Sequence, residues 1–90
     1  MTDQTDNDDL TPRSEHRSAV RLRAFVMRNR QQMADALVTD ISYRGCRIAT
    51  DEKLKTGERR ELRVARRGAA EVEVRWIDRK AGTAGLRFVA

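Results

Sequence analysis

The chain is poor in the residues that most site chemistry needs. Its ninety residues include one cysteine, one histidine, one proline and four aromatic side chains. A lone cysteine, Cys46, excludes an internal disulfide and fits a reducing cytoplasm. One Cys and one His exclude a structural zinc site. No nucleophile, base and orienting group can be assembled around His16, and no Walker-type phosphate loop occurs, so an enzyme is not expected. Apolar runs last only a few residues, far below the roughly 20 that cross a bilayer. The N-terminus also lacks the basic-then-apolar pattern of a secretory leader, so no membrane insertion is expected. This length supports one hydrophobic core.

Charge is abundant and unevenly spread. Of 19 basic residues only Lys53, Lys55 and Lys80 are lysines. Arginine is favoured where a planar, two-pronged donor meets phosphate or a guanine edge. The first ten residues hold Asp3, Asp6, Asp8 and Asp9 and no base, so residues 11–90 carry four charges more than the +5 of the whole chain. An anionic partner is implied, without saying which. Residues 1–10 have almost nothing to bury and read as a disordered acidic tail. Residues 11–19 form a polar, Arg-containing lead-in opened by Pro12, and 11–90 is one domain.

Alternation begins at Val20. Val20, Leu22, Ala24 and Val26 are apolar with Arg21 and Arg23 between them, the period of a half-buried strand. Further strands are expected at Ala34–Ile41, Cys46–Ala49, Glu61–Val64, Val72–Trp76 and Leu86–Phe88, separated by polar or Gly-containing turns. Met33–Val38 also has helix-forming composition, but Thr39 to Ser42 extend it with strand-type residues. In the second strand Ala34, Ala36 and Val38 share one side, with Leu37 and Ile41 on the other. Trp76 invites a base-stacking role, yet it alternates with Val72 and Val74, which predicts core packing, and most of the aromatics are expected inside. Cys46 alternates with Ile48 and reads as a small buried apolar residue. Six short strands predict an all-β fold, a six-stranded antiparallel β-barrel whose closure removes exposed edges, with no substantial C-terminal helix.

Two patterns stand in order. Arg13-Ser-Glu-His-Arg17 is an RxxxR before the first strand, and Asp40-Ile-Ser-Tyr-Arg-Gly45 is a DxSxxG between the second and third. One hairpin separates them and returns the chain to its starting end, so they can face one site. With the Gly45-Cys-Arg-Ile48 continuation, the Gly57 turn, Val74 to Trp76 and the closing Gly85-Leu-Arg-Phe88, the sequence resembles the PilZ family from about Pro12 to Val89. The resemblance implies a PilZ-like barrel in the bacterial cytoplasm that binds cyclic di-GMP, performs no chemistry on it and signals to an effector protein. Motility, surface polysaccharide or biofilm control would lie downstream.

The residue types suit such a ligand. Guanine offers O6 and N7 to an arginine fork, and guanidinium planes stack on bases. Arg13 and Arg17 would clamp phosphate and guanine from the lead-in. The Asp40 carboxylate would accept hydrogen bonds from guanine N1 and N2, and the Ser42 hydroxyl would complete the contact. Gly45 allows either a positive-φ turn or close approach. Arg21, which forms a second RxxxR with Arg17, and Arg44, in the turn beside the site, are expected as auxiliaries. Plainer readings stand beside these: Asp40 and Ser42 as turn formers, and the arginines as solvated charge. Two other functions compete. One is a basic barrel for RNA or single-stranded DNA, which the expected burial of the aromatics disfavours. The other is a PilZ-like adaptor that binds protein but not nucleotide.

Overall fold

The computed structural model describes residues 18–89. The expected tail and the RxxxR arginines Arg13 and Arg17 lie outside these residues. Six strands follow one another: β1 (Ser18–Met27), β2 (Met33–Ile41), β3 (Gly45–Thr50), β4 (Arg59–Val64), β5 (Gly68–Asp78) and β6 (Thr83–Phe88). All pairings are antiparallel, in the order β1-β2-β3-β6-β5-β4 with β4 returning to β1, and the barrel is closed. No helix occurs among the described residues, and Met33 to Val38 lies in β2.

The core explains the alternation. Ala24, Val26, Ala36, Val38, Cys46, Ile48, Leu62, Val72, Val74, Ala84 and Leu86 point inward from all six strands into one cluster. These are small and medium side chains, as the narrow interior of a small barrel requires. Strands β3 and β4 are not neighbours, so residues 51–58 must cross an open end of the barrel. Leu54, 2% exposed, plugs that end. The crossing is pinned by charge: Glu52 accepts hydrogen bonds from Arg28 Nε (2.9 Å) and Arg60 Nη1 (3.1 Å). Arg79 donates to the Leu54 carbonyl at 3.2 Å.

Strict alternation fails at three places. The register slips in β1 between Ala19 and Leu22, in β2 between Val38 and Asp40, and in β5 between Val74 and Trp76. Each is a β-bulge, an extra residue that turns the following side chains to the other face. In β2 the bulge keeps Ile41 against the core with Ala36 and Val38, where unbroken alternation predicted opposite sides. In β5 it sends Trp76 outward while Ile77 packs inward. Trp76 is therefore 43% exposed and not a core residue. Tyr43 is also exposed, Phe25 is half-buried and Phe88 packs half-buried against the core, so the expectation that most aromatics lie inside fails at Trp76 and Tyr43.

Candidate functional site

The bulges align an outward-facing row across five strands. Ala19 of β1 pairs with Asp40 of β2, Asp40 with Arg47 of β3, Arg47 with Gly85 of β6, and Gly85 with Trp76 of β5. Neighbouring strands lie about 4.8 Å apart, so the row runs roughly 19 Å around the wall. Over it opens a groove of about 550 Å³, lined by Asp40, Arg44, Gly45, Arg47, Arg75, Trp76, Gly85 and Arg87 with Cys46 and Leu86 beneath. That volume falls within the range of small-molecule sites.

Gly85 is the seat of the indole. A methyl group there would collide with the Nε1 edge of Trp76, so the ring rests directly on the β6 backbone with its outer side open. Gly45 serves a different need. Its φ is not positive, and a methyl would strike the Leu86 carbonyl oxygen, so the residue allows β3 and β6 to approach.

Electrostatics divide the rim. Four arginines line the groove, and two carboxylates stand among them. Arg47 Nη2 lies 3.4 Å from Asp40 Oδ2, Arg87 Nη2 lies 2.9 Å from Glu73 Oε1, and Arg75 Nη1 lies 3.9 Å from the same oxygen. Arg44 stacks over the Tyr43 ring at 5.9 Å. The Cys46 thiol is pushed up to about 12, first by burial and then by the Asp40 charge. A thiol so protonated is an inert part of the wall.

The DxSxxG residues separate into two roles. Asp40 faces the groove. Ser42, 8% exposed, builds the β2–β3 turn: its amide donates to the Gly45 carbonyl at 2.8 Å, and its hydroxyl accepts from the Arg44 amide at 3.2 Å. Arg21 is exposed on the outside of β1. Arg13 and Arg17 lie outside the described residues, but the strand they precede begins beside the site, with Ser18 paired to Ile41.

The PilZ domain family matches residues 11–90. The chain belongs to the PilZ family. PilZ domains are cyclic di-GMP receptor and adaptor domains. Its fold is similar to the Bacillus subtilis inhibitor of motility (MotI/DgrA), with a TM-score of 0.65 and 18% sequence identity. The match covers 89% of this chain and 44% of that one, so the domain spans under half the length of its structural neighbour. At that identity the likeness is one of fold. No protein of curated function matches the sequence. No described helix of this PilZ domain is long and apolar enough to cross a membrane.

Sequence reasoning assigned the PilZ domain's Asp40, Ser42, Gly45 and Arg44 to the candidate site, set Trp76 in the core and did not single out Arg47, Arg75, Gly85 and Arg87. Arg47, Arg75, Trp76, Gly85 and Arg87 all belong to motifs that carried the resemblance, but period-two reading put Trp76 inside. The available signal was the spacing: Gly85 and Arg87 fall two apart on the outer face of the strand opposite Trp76.

Proposed function

We propose that this PilZ domain binds cyclic di-GMP along the outer row from Ala19 to Trp76 and acts as a non-catalytic cytoplasmic receptor, signalling to an effector protein. The functional unit is residues 11–90. The observation that carries the reading is the row itself, which sets a carboxylate, a flat exposed indole and several guanidiniums in one groove. Asp40 accepts from the guanine N1 and N2 donors. Trp76 offers a face for base stacking, and Arg44, Arg47, Arg75 and Arg87 meet phosphates and guanine O6 and N7. Ser42 holds the turn that presents Asp40, while Gly45 keeps the wall closed behind it.

Covalent reach supports the lead-in clamp. Arg17 adjoins Ser18, and Ser18 and Ala19 pair with Ile41 and Asp40. Arg13 is five residues from Ser18, so it lies within about 17 Å of it by chain length alone. Both guanidiniums, with Arg21 as auxiliary, are thus tethered at the Asp40 end of the row. Their contact with the ligand changes the surface at the start of β1, which an effector can read.

Calorimetric titration with cyclic di-GMP, with GMP as control, tests the reading. Saturable binding to the wild type, lost in Asp40→Ala and in Arg17→Ala, is the expected result. Absence of binding to the wild type, or unchanged affinity in both variants, removes it. One observation favours a second reading. Tyr43 and Trp76 are exposed beside arginines, as in single-strand nucleic-acid platforms. Tight oligonucleotide binding with steep salt dependence would select that alternative.

A further inference from the structure

The wall opposite the groove carries a second concentration of arginines. In the ring β1-β2-β3-β6-β5-β4 the groove centres on β3 and β6, and the β1–β4 seam lies across the barrel from it, one strand away on either side. At the seam Phe25 of β1 pairs with Arg63 of β4, and Arg23 stacks over the Phe25 ring at 5.8 Å. The Ala65 amide donates to the Arg23 carbonyl at 2.9 Å, which holds the β4–β5 turn, with Arg66 and Arg67, against the same strand. Arg59 extends the row to the other end of β4, about 20 Å from Ala65 at the usual rise per residue. All five arginines are exposed, and Phe25 is half-buried among them. Two have a carboxylate nearby: Arg63 Nε lies 3.3 Å from Glu61 Oε2, and Arg59 Nη1 lies 3.8 Å from Glu71 Oε2. Arg23, Arg66 and Arg67 form no ion pair among the described residues.

The turn adds an independent sign. Arg66 has a φ of 67° and is the one non-glycine residue with positive φ among the described residues. That conformation suits glycine or asparagine, so an arginine there gains nothing from the backbone. Its side chain is exposed and pairs with no carboxylate of the barrel wall. A strained position held by a side chain the barrel does not use points to a role outside the barrel. We infer that the β1–β4 seam docks an acidic protein partner, which sets carboxylates against Arg23, Arg66 and Arg67 and an apolar side chain on Phe25. Arginine and aromatic side chains are enriched in protein interfaces, and complementary charge speeds and orients docking. Three observations select a protein. Glu61 and Glu71 interrupt the row, which disfavours a continuous run of phosphates. The exposed aromatics on which bases would stack, Tyr43 and Trp76, stand in the β2–β3 turn and on the groove wall. A second copy of this chain would bring the same arginines and be repelled. The seam shares no residue with the groove, so the inference goes beyond the nucleotide reading and does not depend on it.

The test uses the nucleotide-free full chain, titrated with a peptide of glutamates interspersed with leucines and followed by amide NMR. A peptide with lysine in place of glutamate is the control. The acidic peptide is expected to shift the amides of Arg23 to Phe25 and of Arg63 to Gly68, to leave Gly45, Trp76 and Gly85 in place, and to be unmatched by the control. The triple variant Arg23→Gln, Arg66→Asn, Arg67→Gln weakens binding about tenfold, the product of three exposed charge pairs worth roughly twofold each. Arg66→Asn alone weakens binding about twofold with an equal or higher Tm, because asparagine tolerates the positive φ. Absent shifts, or equal shifts at the groove, overturn the inference. Unchanged affinity in either variant overturns it as well, and so does a lowered Tm in Arg66→Asn, which marks a structural role. A single-stranded oligonucleotide or a phosphatidylglycerol vesicle that occupies the seam more tightly than the peptide assigns the surface to a different partner and also overturns it. Because no nucleotide is present, failure of the cyclic di-GMP reading leaves each of these outcomes intact.

Discussion

Replacing Trp76 by alanine separates a binding role from a structural one. The indole lies on the outer wall over Gly85, while Val72, Val74 and Ile77 supply the β5 contribution to the core. Removing it opens no interior cavity, so the stability loss is that of a half-exposed side chain, about 1 kcal/mol or less. For a domain of this size that lowers Tm by less than about 8 °C. The binding loss is larger. Stacking on an aromatic side chain contributes about 1–3 kcal/mol per base, a 5- to 150-fold change in Kd. Calorimetry gives Kd, and thermal unfolding by circular dichroism gives Tm. Trp76→Phe keeps a flat ring and recovers most of the affinity. Gly85→Ala keeps the indole but pushes it off its seat, and falls between wild type and Trp76→Ala. A folded Trp76→Ala protein with wild-type affinity refutes the stacking argument. A Tm drop well beyond 8 °C refutes the claim that the ring is outside the core.

Three further outcomes follow from the far end and the interior. Leu54→Ala unplugs the barrel beneath the β3–β4 crossing and costs about 2–5 kcal/mol in chemical denaturation, with ligand affinity nearly unchanged. For Glu52, burial alone would raise the carboxyl, but hydrogen bonds from Arg28 and Arg60 outweigh it and hold the group below its ordinary 4.5. Its contribution is thus full above that value and fades as pH falls through the lowered one, so the denaturation midpoints of wild type and Glu52→Gln, well separated at pH 6, converge in acid. Cys46, with its thiol raised to about 12, stays unmodified by iodoacetamide at pH 8 in the native protein and reacts once guanidinium unfolds it; rapid native labelling contradicts the inert-wall reading.

The strand plan was legible because a barrel of this size leaves little freedom. Each strand shows two or more inward apolar residues, such as Ala24 with Val26 or Cys46 with Ile48, and the turns carry their own residues. Gly57 and Gly82 both adopt positive φ (91° and 72°), where glycine avoids steric penalty. The DxSxxG was legible as a motif, and the hairpin geometry that brings the start of β1 beside Asp40 follows from two strands of nearly equal length. The division of labour inside the motif was not. Whether a serine faces ligand or closes a turn depends on where its strand ends, and that boundary falls at Ile41.

The larger omission was the groove itself, and its cause is one physical device used twice. With unbroken alternation Asp40 would share the inner face with Ala36 and Val38, and Trp76 with Val72 and Val74. A carboxylate among those side chains would lack water and would cost several kcal/mol. An indole there would overfill an interior built from Ala, Val, Cys, Ile and Leu. One extra residue in each strand removes both conflicts, because Ile41 and Ile77 return to the core while Asp40 and Trp76 turn to solvent. The conflict was visible in the sequence as an acid and an indole at inward-period positions, each followed by an isoleucine one place out of phase. Read as a bulge signal, that pattern points to the outer wall, and the two residues it expels stand at opposite ends of a four-residue stretch of the row that forms the groove.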